Sequence, residues 1–185
     1  MFKSVINKSE YAEIIPAYKR EDKQFYTLNI NPIEDGDYYV VLSHIYDHYP
    51  TQEDKDKLYA DYLSLCKKVK LAEIDRYDKS EHVNGFYLAG QLAWLPKADR
   101  VGLINSIGIE KAAGQETTTL YLNGAALTIG VDAALQMLSA LELYALACYR
   151  VTEQHKIAIA GLTTIEEAEN YDCTQGYPEK PQFEL

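Results

Sequence analysis

The residues of this chain whose types could do chemistry are four histidines, three cysteines, a group of late glutamates and sixteen tyrosines. His44 and His48 flank Asp47 at a spacing of four. On a helix that spacing sets two imidazoles on one side, where they can share a metal ion. Here they fall in or beside Tyr38-Tyr39-Val40-Val41-Leu42-Ser43-His44-Ile45-Tyr46, a β-branched and aromatic run of the kind strands prefer. On a strand the two side chains share a face but stand well apart, so no metal site is expected from them. Cys148 and His155 are seven residues apart on one expected helix. Two turns, about 10 Å of rise, is too far for a thiolate–imidazole pair. His155 is expected instead to be a satisfied core or helix-end histidine. Glu166, Glu167 and Glu169 could suggest paired carboxylates, but they better suit the N-terminus of a short helix. No serine sits in GxSxG, no HExxH occurs, and Gly102 and Gly108 are isolated rather than part of a phosphate loop. The sequence thus nominates no catalytic residue, no metal ligand and no cofactor. A cryptic hydrolase would need a deep pocket holding His155 with a carboxylate, and it is the weakest of the functional readings.

The tyrosines are a different resource. A phenol ring gives rigid amphipathic contact area, so Tyr38, Tyr39, Tyr46 and Tyr49 could form a carbohydrate-, host-receptor- or protein-binding surface. Their alternative role is that of half-buried strand residues.

What must position these groups is one long helix, expected over residues 132–160. Leu135, Leu138, Leu141, Ala145, Cys148 and Thr152 recur at three- or four-residue steps, as one helix face requires. Met137, Leu141, Tyr144, Cys148, Val151 and His155 make a second stripe beside it. The opposite face is polar at Asp132, Gln136 and Ser139, carries Leu143 and Leu146, and is polar again at Arg150, Glu153 and Gln154. The middle of this helix is therefore apolar on nearly every side, and it must be surrounded by its own chain or by another copy. Leu143, Tyr144 and Leu146 are the nominated interface, with a homo-oligomer expected. Asp132 is placed to cap the helix start, and Gly161 to end it.

The rest of the chain supplies smaller elements. Residues 1–24, with Pro16 and the charged run Lys19-Arg20-Glu21-Asp22-Lys23, read as a loosely held arm. Strands are expected over 25–30 and 38–46, joined by a loop of about six residues, Pro32 to Asp37. Thr51 and Asp54 resemble a capping box for a helix reaching Tyr77, and Leu58, Tyr62, Leu65, Val69 and Ala72 mark one of its faces. After a polar stretch, 78–84, two short strands turn at Ala89-Gly90. Pro96 suits the first turn of a helix over 97–113, with Val101, Ile104, Ile107 and Gly108 inward and Gly114 past its end. Asn123-Gly124 is the preferred pair for a two-residue turn between Thr117-Thr118-Thr119-Leu120-Tyr121-Leu122 and Ala125-Ala126-Leu127-Thr128-Ile129. A short capped helix is expected near Thr163-Thr164-Ile165, then an irregular tail whose last residues, Gln182 to Leu185, can dock on a sheet. The fold class is α+β: small antiparallel hairpins packed on helices, with one long central helix. The expected organisation is an arm, hairpin and connector helix over 1–77 and an α+β domain over 78–185.

Bulk properties narrow the partners. The chain has 185 residues, 47% hydrophobic, enough for a substantial core. Its net charge of −10 argues against a basic nucleic-acid surface and against anionic lipid. No run of about 18 apolar residues is evident, so no membrane partner is expected. Three widely spaced cysteines, without CxxC, fit a reducing compartment and no disulfide framework. The mixed first residues, with Lys3, Lys8 and Glu10, do not read as a signal peptide.

An ordered series of residues extends this reading. It comprises Ile74-Asp75-Arg76-Tyr77-Asp78, Val83-Asn84 with Phe86, Trp94-Leu95, Arg100-Val101-Gly102-Leu103, and Gly114-Gln115-Glu116-Thr117-Thr118-Thr119-Leu120. It continues with Leu138-Ser139-Ala140-Leu141-Glu142-Leu143-Tyr144-Ala145, Cys148, Thr152, His155, Tyr171-Asp172 and Gly176-Tyr177-Pro178-Glu179-Lys180. In this order, over about residues 71–183, the chain resembles domain-of-unknown-function family 4376 of tailed phages and prophages. Pro96 departs from the pattern, where a capping Asp is expected, and so does Asn84-Gly85, where Asn-Ser is more usual. The resemblance implies a virion-associated or tail-assembly protein. Its partners would be other phage virion, tail or fibre proteins, and its location the virion, or the host cytoplasm during assembly. The family carries no assigned catalytic residues, and the first 70 residues would adapt the chain to its own partner.

Overall fold

A computed structural model describes residues 1–122 and 124–184, and the chain is mixed α+β with one long helix, as its patterning requires. It divides into two compact units, residues 1–68 with 163–169, and residues 69–162 with 170–185. The division falls inside the first long helix, ahead of the boundary expected at Tyr77, and a later segment returns to the first unit.

In the first unit β1 (Phe2–Asn7), β2 (Ile14–Arg20), β3 (Lys23–Asp35) and β4 (Tyr38–Tyr46) form one antiparallel sheet in the order β1-β4-β3-β2. Residues 1–24 are thus not a loose arm. The charged run sits at the tip of the β2–β3 hairpin, where Glu21 takes a φ of 55° and the charges reach water. Pro16 is tolerated because β2 is an edge strand and its register shifts between Pro16 and Tyr18. The expected six-residue loop is also shorter. β3 runs through Pro32 by a bulge between Ile30 and Ile33, with Asn31 at φ 53°, and only Gly36-Asp37 turns. Helix α1 (Gln52–Asp78) lays Leu58, Tyr59 and Tyr62 on Leu28, Ile30 and Leu42. Within the sheet, buried Ser43 donates to Asn29, 2.7 Å, and the Asn29 amide donates to the Ala12 carbonyl, 2.9 Å. Helix α5 (Ile165–Asn170) places Glu169 on Tyr62 and Lys3, at 2.9 and 2.7 Å.

In the second unit α2 (Glu81–Asn84), which the polar stretch did not announce, leads into β5 (Gly85–Leu88) and β6 (Gln91–Trp94). A Cβ at Gly85 would lie 2.7 Å from the Glu81 carbonyl, so the α2 turn and β5 meet only around a glycine. The late strand β9 (Gln182–Phe183) joins β5 in parallel. Helix α3 (Lys97–Ala112) ends before Gly114, at φ 81°. β7 (Thr117–Leu122) and β8 (Ala125–Gly130) pair with Leu122 opposite Ala125, and Gly124 takes a φ of 79°. Asn123 and Leu185 lie outside the described residues.

Helix α4 (Val131–Gly161) is the core element. Val131, Ala134, Met137, Leu138 and Leu141 pack with Phe86, Ile107, Leu120 and Leu122. Farther along, Ile159 meets Ile74 and Cys173. Asp132 does not cap the helix. Gly130 stands at the cap position without a side-chain bond, and Asp132 pairs with Lys111 of α3 at 2.7 Å. Among the described residues α4 is also long and apolar enough to cross a membrane, with a mean hydropathy of 1.3 over 18 residues, against the expectation that none was. A third of that window is buried in this core, and the helix also carries Glu142, Arg150, Glu153 and Lys156.

The start of α1 gives a pH signature. The Thr51 amide donates to Asp54 at 2.8 Å, Asp54 N–H returns to the Thr51 hydroxyl at 3.3 Å, and His48 Nε2 lies 3.1 Å from the same carboxylate. Bonds from the Thr51 backbone and hydroxyl, then from His48, hold the Asp54 carboxyl down to about 2. Hydrogen bonds to Asp54 and Asp47 raise His48 above its ordinary value. A depressed carboxylate stabilises above its ordinary pKa of 3.8, and that contribution is lost as pH falls through about 2. A raised histidine stabilises below its ordinary 6.5, and loses this as pH rises through its raised value. Denaturant midpoints measured across pH should therefore fall less steeply for Asp54→Asn than for the wild type on both limbs. Thr51→Ala should cost about 1 kcal/mol at neutral pH.

Candidate interaction site

Helix periodicity turns Leu143 and Leu146 away from the stripe that α4 buries, and they are 70% and 43% exposed. They flank an open groove of about 830 Å³ between α3 and α4, closed at one end by α2. Its wall is Val83, Ile104, Leu143, Ala145 and Leu146; its polar groups are Asp78, Asn84, Lys97, Arg100, Ser139 and Glu142. A second hollow of about 400 Å³, between Lys111, Asp132 and Gln136, shares Ser139 and Leu143 with it, so one trough follows α4.

Arg100 holds the floor. It is 4% exposed; Nε donates to Glu142 of α4 at 2.7 Å and Nη1 to the Leu95 carbonyl at 2.7 Å. The pair ties α3 to α4 under the groove. Sequence reasoning did not nominate it, although a signal existed. Arg100 stands at a core position of α3, in step with Ile104 and Ile107, where a charge must find a partner. Val101, expected inward, is exposed, because α3 turns Arg100 and Ile107 to the core instead.

The nominated residues separate. Tyr144 does not stand beside the two leucines. Its hydroxyl is buried without a well-formed hydrogen bond, and burial, then the Cys148 thiol, pushes its pKa far up. Of the N-terminal tyrosines, Tyr38 and Tyr49 are 48% and 63% exposed. Tyr39 sits edge-on to Tyr11 beneath Lys8, and Tyr46 lies between His44 and His48 against the first unit's core. Strand alternation sends Tyr39 to the face opposite Tyr38 and Tyr46, and the latter two stand about 27 Å apart along β4. The four do not converge.

The other candidate groups are already engaged. His155 Nε2 lies 2.9 Å from the Gln175 carbonyl, which only accepts, so Nε2 donates, and Nδ1 is hydrogen-bonded to the Tyr171 hydroxyl at 2.7 Å. That is a structural imidazole, with no carboxylate bonded to it. Cys148 Sγ donates to the Val83 carbonyl at 3.8 Å, and burial raises its pKa. Glu167 bonds the Thr163 and Thr164 amides at the start of α5. Among the described residues no three His, Cys, Asp or Glu gather as a metal site.

The chain matches no family model, no curated protein and no solved structure.

Glu142→Gln leaves Arg100 buried without its counter-charge. The expected cost is about 2 kcal/mol in chemical denaturation, below the fully buried range because Glu142 is partly open to solvent. Adding Arg100→Met should recover part of it. An equal or larger loss in the double variant would show that the pair is not the unit.

Proposed function

We propose that this chain is a non-enzymatic phage structural or assembly protein that attaches to, or helps assemble, a fibre or tail component of the virion. The observation that carries the reading is the pair Leu143 and Leu146, two large aliphatic side chains in water on the rim of a groove deep enough to receive another protein's side chains. Exposed apolar area of this kind beside a concave surface is what an interface needs, and reaction chemistry has no use for it. The phage association rests on the ordered residue blocks between about 71 and 183. Its partners in this reading are other virion, tail or fibre proteins, met in the host cytoplasm during assembly or retained in the particle. The engagement of His155 and Cys148 in structural bonds supports holding over catalysis.

The test is made on particles. Mass spectrometry of purified virions and of purified assembly intermediates should find the chain in at least one of the two. The paired change Leu143→Glu and Leu146→Glu should lower its incorporation, or the yield of tailed particles, at least tenfold, the effect of about 1.4 kcal/mol at an interface. Wild-type incorporation and yield from a folded double variant would refute the assignment of the interface.

A further inference from the structure

We propose that the groove between α3 and α4 receives the same helix α4 from a second copy of this chain, the two helices crossing antiparallel about a two-fold axis that sets each Leu143 against the other copy's Leu146. The inference rests on the preceding reading of the groove as the working interface.

The argument begins with self-complementarity. A two-fold interface uses one patch twice, so whatever projects from the patch must fit a hollow in the same patch. Here projection and hollow are made by the same residues: Leu143 and Leu146 stand out from α4 and also line the groove. Leu143 and Leu146 are three apart and share a helix face. Antiparallel pairing of one with the other fixes the rest of the register. Arg150 then faces Ser139, and Glu153 faces Gln136. Ser139 is small and exposed, and it leaves room for a long side chain. Beyond those positions two helices crossing at an angle diverge, so no further match is needed.

Charge points the same way. Each chain carries −10, so two copies repel over most of their surface. At the groove the charges cancel: Lys97 and Arg100 stand against Asp78 and Glu142. The proposed register brings Arg150 opposite Ser139 and so within a turn of Glu142 of the other copy, twice by symmetry. The contact is apolar at its centre and attractive at its flanks, on a molecule that otherwise repels itself.

Sedimentation of the full chain over micromolar to submillimolar concentrations is the first measurement. A dimer is expected, and it should strengthen with salt, because salt screens the net repulsion and leaves the apolar centre intact. Leu143→Glu should weaken it at least tenfold, while Leu143→Met keeps it; near-ultraviolet circular dichroism checks that both fold. The register is read by cross-linking. Cys66, Cys148 and Cys173 are buried, so engineered surface thiols report alone. A mixture of Leu143→Cys and Leu146→Cys should form intermolecular disulfide about tenfold faster than either variant by itself. A wild type that stays monomeric, a dimer that weakens with salt, or cross-links formed equally well by each variant alone would overturn the proposal. If the wild type is monomeric while Leu143→Glu still lowers incorporation into particles, the groove serves a different protein and only the second-copy inference falls. If incorporation is also unaffected, the functional reading falls with it.

Discussion

Helix α4 carries more apolar surface than the core of its own unit covers. A helix meets its neighbours along a stripe, and this one buries Val131, Ala134, Met137, Leu138 and Leu141 in one stretch and Cys148, Thr152, His155 and Ile159 in the next. Leu143 and Leu146 lie more than a quarter-turn from the middle of that stripe and stay 70% and 43% exposed. The rest of the unit follows from serving the stripe. β5, β6 and the β7–β8 hairpin supply Phe86, Ala93, Leu120 and Leu122 to its first half, and α3 supplies Ile107.

The second half is held by different means. There the buried face turns polar, and Thr152 and His155 each need partners in a low-dielectric setting. Thr152 donates to Asp78 at 2.6 Å and lies 3.0 Å from the Tyr177 hydroxyl; His155 takes Tyr171 and Gln175. These bonds fasten the irregular segment after α5 along the helix. Asp172 reinforces it by accepting from the Thr174 amide and hydroxyl at 2.9 and 2.7 Å. A segment without regular structure is ordered here because the helix offers it directional partners, and Gly176, at φ 80°, supplies the left-handed backbone its turn needs.

How much of this was legible depends on whether a local signal agreed with its tertiary setting. The period of α4, the alternation and Gly124 of the β7–β8 hairpin, and the Thr51–Asp54 reciprocal cap all act within a few residues, and each is present. β1 and β2 were hidden because their evidence is the partner strand. Pro16 and Pro32 look like breakers until bulges absorb them, and the charges of 19–23 look like disorder until a hairpin tip exposes them. Asp132 was misjudged for the same reason, since Lys111 arrives from another helix. At the candidate site the two leucines were visible as apolar residues on a polar face. Tyr144 was not separable from them, because one residue's rotation, about 100°, carries its ring inward. Arg100 became interpretable only with Glu142 opposite.

The titratable groups bear on what the molecule can do. A nucleophilic thiol needs its thiolate favoured. Burial instead pushes Cys66, Cys148 and Cys173 upward, with Glu169 adding to the effect at Cys66, Asp78 at Cys148 and Glu73 at Cys173. At Glu169 burial raises the pKa, but hydrogen bonds from Lys3 and Tyr62 outweigh it and leave the carboxyl below its ordinary value. Such a carboxylate holds strand and helix together and is a poor proton donor at neutral pH. In each case the environment moves the group away from reactivity and toward a fixed contact. On α4 the large aliphatic side chains Leu143 and Leu146 stay 70% and 43% exposed. Water is a poor setting for them, and a second protein surface is a good one, which is why the chemistry of this chain argues for association.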